Sequence, residues 1–297
     1  MKRILITGGS GMLGFSLNKD LEKDFKVYST GNSYFNSQPD RYLKFDLLSS
    51  SYKKLIDWSS PDIIIHCAAL TDGNFCEKNP EEAYKVNGLS MKKIIEASKK
   101  KVKIIYISTD AVFPSSLHLA NENASTGPEN IYGKSKELGE FFLTNSERDF
   151  LIIRTTIVGI NKNKDKKGFV EWIIDSSKSN ETISLFDDVT FNPISIWDFS
   201  KELKFLINEN KINSEILHIA GKEIVTKYEF GVRLLNKCKL ATDNVLKGSI
   251  KNFNERAKRS NNQTLDCSYY EKKFNRQLPD LNQTISTINS KNHEKRH

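Results

Sequence analysis

The sequence is short of cysteine, of clustered metal ligands and of long apolar runs. Four cysteines occur among 297 residues: Cys67, Cys76, Cys238 and Cys267. None forms a C-x-x-C pair or has a histidine at zinc-ligand spacing, so a disulfide scaffold and a zinc module are not expected, and the thiols read as reduced, cytoplasmic ones. The histidines at 66, 118, 218, 293 and 297 also lack ligand spacing. His66 and His218 sit in apolar strand-like runs and read as core residues, so no metal site is expected. No apolar run approaches the roughly 18–20 residues of a membrane helix. The N-terminal Met1-Lys2-Arg3-Ile4-Leu5-Ile6-Thr7-Gly8 reaches glycine too early for a signal-peptide core. With 15 glycines and 7 prolines, neither a collagen-like nor a low-complexity chain is indicated.

Charge of one sign is in modest excess: 45 Lys and Arg against 37 Asp and Glu, a formal net charge of +8. From Lys247 to the C-terminus there are 11 basic and 5 acidic residues, so most of the excess lies in the last fifth of the chain. A nucleic-acid footprint would be a basic stripe with interleaved aromatics or a recognisable reading motif, and neither is found. The excess reads as a solvated basic surface whose field would help attract an anionic substrate such as a diphosphate.

What is present is alternation. Arg3–Thr7, Phe25–Ser29, Tyr42–Phe45, Asp62–Ala68, Lys103–Ser108 and Leu151–Arg154 read as strands. Met12–Lys23, a helix from Pro80 to about Lys101, and Ile131–Asn145 read as helices between them. Asp62–Ala68 is continuously apolar, as in a parallel strand covered on both faces. Pro80 in the first turn, followed by Glu81 and Glu82, suits a helix N-terminus. This pattern predicts a doubly wound parallel α/β sheet of the Rossmann type over residues 1–155. Beyond it the regularity weakens: Phe169–Ser177, Trp197–Asn208 and Lys227–Lys237 look helical and Glu215–Ala220 looks like a strand. No linker rich in Gly, Pro or Ser intervenes, so residues 156–288 are expected to form a smaller interleaved lobe, and residues 289–297 a frayed polar tail.

Thr7-Gly8-Gly9-Ser10-Gly11-Met12-Leu13-Gly14 sets glycines at 8, 11 and 14 between a strand and a helix. Gly8 permits a tight turn, Gly11 lets the backbone approach a pyrophosphate, and Gly14 allows close helix–strand packing. The helix start, with Ser10, Met12 and Leu13, presents free N–H groups to the anion. An NAD-selective site would place an acid at the end of the second strand to bind the ribose 2′-hydroxyl. The residues there are Tyr28-Ser29-Thr30-Gly31-Asn32, so NADP(H) is favoured over NAD(H).

Tyr132-Gly133-Lys134-Ser135-Lys136 is a Y-x-x-x-K motif that sets Tyr132 and Lys136 on one helix face. A phenol with an ordinary pKa near 10 is a poor acid–base at neutral pH. A neighbouring ammonium would stabilise its anion and let it exchange a proton with a carbonyl oxygen. Ser108-Thr109-Asp110 ends the apolar strand upstream, and Thr109 is a candidate to hydrogen-bond the same oxygen.

The glycine spacing, Thr109 and the Tyr132–Lys136 pair, in this order, resemble the extended short-chain dehydrogenase/reductases. His66–Pro80 (HCAALTDGNFCEKNP), Ser108–Pro114 (STDAVFP) and Asn130–Glu140 (NIYGKSKELGE) resemble the dTDP-4-dehydrorhamnose reductase family within them. So, more loosely, do Arg154-Thr155-Thr156, Phe191–Ser195, Leu217–Gly221 and Ala257–Asp266 (AKRSNNQTLD). The resemblance spans roughly residues 1–288 and implies an NADPH-dependent reduction of the 4-keto group of a nucleotide-linked deoxysugar. It implies that Tyr132 gives the proton, Thr109 orients the carbonyl and Lys136 tunes Tyr132 and binds the nicotinamide ribose. It also places Asp46 and Leu47 near the adenine, Ala68, Ala69 and Asn87 beside the cofactor, and Asp110, Ala111 and Arg259 on the substrate side. Read from the residues alone, Asp46 is equally a helix cap, Asn87 a tolerated helix residue and Arg259 one member of a solvated basic cluster. Dimers are common in the family, so a homodimer is expected, although no sequence feature locates its interface.

The departures lie on the sugar side. Ala111 stands where the family favours Tyr, Gly73-Asn74-Phe75 where it often has Val-Asp-Lys, and Ser260 where Pro is expected. Two other readings follow from the same resemblance. One is a non-catalytic NADP(H)-binding regulator like the beta subunit of methionine adenosyltransferase. The other is a sugar-nucleotide epimerase or dehydratase, which the absence of an acid after Asp110 disfavours.

Overall fold

The computed structural model describes residues 1–294 except 34–38, 49, 163–165, 253–257 and 259. Arg259, named above as a substrate-side residue, therefore lies outside the described residues. Seven parallel strands form the main sheet: β1 (Arg3–Thr7), β2 (Lys26–Gly31), β3 (Tyr42–Lys44), β4 (Ile63–His66), β5 (Lys103–Thr109), β6 (Phe150–Thr155) and β7 (Glu215–His218). Their order is β7-β6-β5-β4-β1-β2-β3, so the winding direction reverses between β1 and β4. The expected doubly wound sheet is present, and the crevice beyond the carboxyl ends of β1 and β4 is where such sheets bind ligands.

The strands are apolar because both faces are covered. Ile4, Ile6, Ile63, Ile65, Ile105 and Ile153 point to one side, against Leu13, Leu17, Leu203 and Leu206. Leu5, Ile64, Ile104, Tyr106 and Ile152 alternate to the other, against Leu55, Met91 and Ile94. His66 lies in this interior as expected of a core histidine. Its Nδ1 is 2.6 Å from Thr7 Oγ1 on β1 and its Nε2 is 2.9 Å from Ser90 Oγ. Burial pulls its pKa down to about 3, with the Lys136 charge adding to the effect, so the ring is neutral. A third apolar cluster is built from the C-terminal half and includes Val158, Ile173, Phe191, Phe230, Leu234 and Ile288.

The helices depart from the sequence pattern where short-range signals run out. The helix starting at Pro80 passes through a π-helical stretch, Tyr84–Leu89, and ends at Ala97 because Ser98 is extended, short of the expected Lys101. Tyr52–Ser59, Gly73–Lys78 and Ser268–Phe274 are further helices. The first two are started by Ser51 and Asp72, whose side chains accept hydrogen bonds from first-turn N–H groups. Leu281–Glu294 is helical, so the segment expected to fray continues a helix as far as Glu294, and the burial of Leu281, Ile285 and Ile288 anchors the preceding turns.

Candidate active site

Four segments converge at the carboxyl edge of the sheet: the glycine turn after β1, the loop after β4, the turn after β5, and α1 (Ile131–Thr144). Gly8 has φ +74°, and a Cβ there would lie 2.7 Å from the Ala68 nitrogen. Gly11 donates to the Gly8 carbonyl at 2.9 Å. A Cβ on Gly14 would sit 2.9 Å from Gly9 Cα, so the helix can approach the turn only without one. The helix Met12–Leu21 has no side-chain cap and no acid in its first turn, which leaves its N–H groups to an anion. Ala68 and Ala69 are half-buried, with the Ala68 N–H 3.4 Å from Thr7 Oγ1. This cradle, which any side chain at Gly8 or Gly14 would fill, fits a dinucleotide pyrophosphate.

Ser10, Gly31 and Tyr42 meet at the end of β2. The Tyr42 and Ser10 hydroxyls share a hydrogen bond, and Tyr42 also donates to the Ser33 carbonyl. Gly31 closes β2, and a Cβ on it would press on the Ser10 side chain. Asp46 accepts from the Leu48 N–H at 2.9 Å and so organises its own turn. Leu47 is buried, and its carbonyl accepts from Tyr52 at 2.9 Å.

Asn87, fully buried within the π-helical stretch, clamps the loop after β4. Its Oδ1 accepts from the Leu70 N–H at 2.7 Å, and its Nδ2 lies 2.9 Å from both the Leu70 carbonyl and Ser135 Oγ. It is a built part of the site's scaffold rather than a merely tolerated helix residue.

The Thr109 hydroxyl donates to Asp110 Oδ1 at 3.0 Å, accepts from the Ala111 N–H at 3.2 Å and shares a hydrogen bond with Tyr132. Ala111 works through its backbone: a Cβ on Gly133 would fall 3.0 Å from its carbonyl carbon, so Gly133 lets the first turn of α1 close on this turn. Asn130 starts α1 by accepting from the Gly133 N–H at 2.8 Å, and its Nδ2 donates to the Lys258 carbonyl at 2.9 Å. The chain next to Arg259 therefore passes over this end of the helix.

Tyr132 and Lys136 lie on one face of α1, but the expected lowering of the phenol pKa is not what the geometry produces. Burial raises Tyr132, and the Thr109 hydrogen bond only moderates this. Lys136 is 2% exposed, donates to the Ile107 carbonyl at 2.7 Å and lies 4.0 Å from the centre of the Tyr106 ring. Burial pulls its pKa down to about 7, opposed first by the charge of Glu140. Desolvation thus outweighs the mutual effect of the pair. Asp110 is pushed up to about 6 by burial, opposed first by the charge of Lys227.

Lys227 is a residue the sequence reading missed near Asp110. It opens the helix Lys227–Lys237, and its ammonium lies 3.2 Å from the centre of the Phe191 ring. A Thr226–Glu229 capping box starts this helix, and nothing local pointed the lysine at Asp110. Glu140, Ser108 and Arg154 were also missed. They form a buried network on the far side of Lys136: Ser108 Oγ lies 2.5 Å from Glu140 Oε1, and Arg154 grips the carboxylate through Nε at 3.0 Å and Nη2 at 2.7 Å. Glu140 stands four residues after Lys136, which was the available signal. Among the described residues no three His, Cys, Asp or Glu side chains converge on a metal-sized site, and no helix is long and apolar enough to cross a membrane.

Comparison with known proteins gives one family and several likenesses. The family model of the RmlD substrate binding domain matches residues 1–293. The probable low-salt glycan biosynthesis reductase Agl14 of Haloferax volcanii is 28% identical over 77% of this chain and 78% of its own. Methionine adenosyltransferase 2 subunit beta of Rattus norvegicus is 26% identical over 91% of this chain and 82% of its own. The crystal structure of dTDP-4-dehydrorhamnose reductase from Bacillus anthracis in complex with NADP superposes with a TM-score of 0.85 at 26% identity, covering 97% of this chain and 99% of that one.

Proposed function

The chain belongs to the RmlD substrate binding domain family, and from that premise we propose that it is an NADPH-dependent reductase of a nucleotide-linked 4-keto deoxysugar in glycan precursor synthesis. The observation that carries the reading is the meeting of α1 with the end of β5: Lys136, one helical turn after Tyr132, donates to the Ile107 carbonyl at 2.7 Å, two residues before Thr109. The bound nicotinamide supplies the hydride. The glycine turn and the start of the following helix hold its pyrophosphate, and the Ser10–Gly31 end, which lacks a carboxylate, accommodates a 2′-phosphate. Lys136 binds the nicotinamide ribose. Thr109 and Tyr132 orient the sugar carbonyl oxygen, and Tyr132 gives that oxygen its proton as the carbonyl carbon is reduced. The resulting phenolate is stabilised by the Lys136 ammonium and regains a proton from solvent.

The lobe from residue 156 onward holds the sugar nucleotide, with Lys227 and Asp110 facing each other across the opening. The assembly is a homodimer in the cytoplasm. The test is NADPH consumption against a panel of nucleotide-linked 4-keto sugars, with Tyr132→Phe alongside. Turnover on one member, lost in the variant, supports the reductase and names its sugar. A non-catalytic NADP(H)-binding regulator is the second reading, favoured by Ala111, Asn74, Phe75 and Ser260 on the sugar side. Tight NADPH binding with no turnover on any panel member would select it.

A further inference from the structure

Tyr132, Lys136 and Glu140 recur every fourth residue and share one face of α1. Two of these residues belong to the motif that the proposed chemistry uses, and the third has no part in it. Glu140 is 5% exposed. Both of its oxygens are engaged, by Ser108 at 2.5 Å and by Arg154 at 3.0 and 2.7 Å. Ser108 and Arg154 are register partners on β5 and β6, so the sheet itself aims both donors at the helix. An ammonium as deeply buried as Lys136 is costly unless a counter-charge is close. The groups around it are His66 at the end of β4 and Cys67 just after it, Tyr106 on β5, Arg154 on β6, and Tyr132 and Glu140 on its own helix. His66 is neutral, burial keeps the Cys67 thiol and both phenols protonated, and Arg154 is a cation. Among these groups the carboxylate of Glu140 is the one anion.

We propose that Glu140, fixed by Ser108 and Arg154, is a positioning residue for the Tyr132–Lys136 pair, supplying the counter-charge that keeps Lys136 an ammonium in its dry setting. This rests on the role given above to Lys136. It predicts that the charge of Glu140, rather than its packing, sets the pH at which Lys136 loses its proton. The opposing effect of Glu140 on the lowered Lys136 pKa is consistent with this.

The test is a titration of the full-length protein carrying lysine labelled with carbon-13 at Cε, with Lys136→Met assigning the resonance. Glu140→Gln should move the Lys136 midpoint downward by about one pH unit or more. The pH above which NADPH affinity falls should move down with it. Ser108→Ala, which keeps every charge, should leave the midpoint nearly in place. Glu140→Gln strands the Arg154 cation, so if it does not fold, the double variant Glu140→Gln/Arg154→Met is compared with Arg154→Met alone, below which its Lys136 midpoint should lie by about one pH unit. An unchanged midpoint in either folded variant overturns the proposal. A downward shift in a protein that reduces no sugar on the panel upholds Glu140 and counts against the reductase reading alone.

Discussion

Glu140 and Glu202 are each gripped by an arginine through two hydrogen bonds and by a hydroxyl through a third, in different parts of the molecule. Around Glu202, on the helix Ile196–Asn208, Arg276 donates at 2.8 and 2.7 Å and Tyr270 at 2.7 Å. The fork is the same, but its surroundings differ. Arg154 and Glu140 have side-chain exposures of 4% and 6%, whereas Arg276 is 35% exposed. The first clamp joins β5, β6 and α1 directly behind Lys136. The second fastens the segment around Ser268–Phe274 to a helix and has no catalytic group beside it. A bidentate ion pair therefore says little about its purpose until its neighbours are known: one is an electrostatic support, the other a fastening.

The largest effect would separate chemistry from fold. Tyr132→Phe removes one hydroxyl from the Thr109 hydrogen bond and should lower turnover by about 10²–10⁴-fold. NADPH affinity and the thermal midpoint should stay near those of the parent, and a matching loss of NADPH binding would count against the proton-transfer role. Arg154→Met attacks the buried clamp, leaving the Glu140 carboxylate without its fork. It should cost about 3–5 kcal/mol in urea unfolding.

A third carboxylate sharpens the contrast, because Asp110 is met by the Thr109 hydroxyl and the Lys227 charge in place of an arginine fork. Its pKa is raised from 3.8 to about 6, mainly by burial. The folded chain therefore holds the extra proton between those values, and stability is lost as pH rises through about 6. Asp110→Asn should erase that slope, leaving the variant more stable than the parent at pH 7 by about 1–3 kcal/mol. Equal melting curves at pH 4 and pH 7 for parent and variant alike would contradict it. The smallest effect is at the outer clamp: Arg276→Met, half-exposed and screened by solvent, should cost about 1 kcal/mol. A loss equal to that of Arg154→Met would erase the distinction between the clamps.

Much of the sheet half was legible because its signals are local. Arg3–Thr7 has the predicted bounds, and the other strands differ by a few residues at their ends. A strand covered on both faces must be apolar throughout, and a pyrophosphate turn must have glycines where a Cβ would collide. Tyr52–Ser59 and Gly73–Lys78 escaped because such short helices owe their stability to packing more than to periodicity. Within the site, Thr109, Tyr132 and Lys136 could be named from spacing. That Lys136 would turn to the Ile107 carbonyl and the Tyr106 ring could not, since those partners lie on a strand about thirty residues away.

By itself the sequence determined the winding of the sheet, the glycine cradle and the order of Thr109, Tyr132 and Lys136, each written in side chains at fixed spacing. Only the tertiary structure decided how those groups ionise and what supports them. Burial set the pKa of Tyr132, Lys136 and Asp110, and burial depends on the whole packed interior. Glu140 found Ser108 and Arg154 through the register of two strands, and the charge of Lys227 reached Asp110 from more than a hundred residues away in sequence, relations that no local pattern encodes.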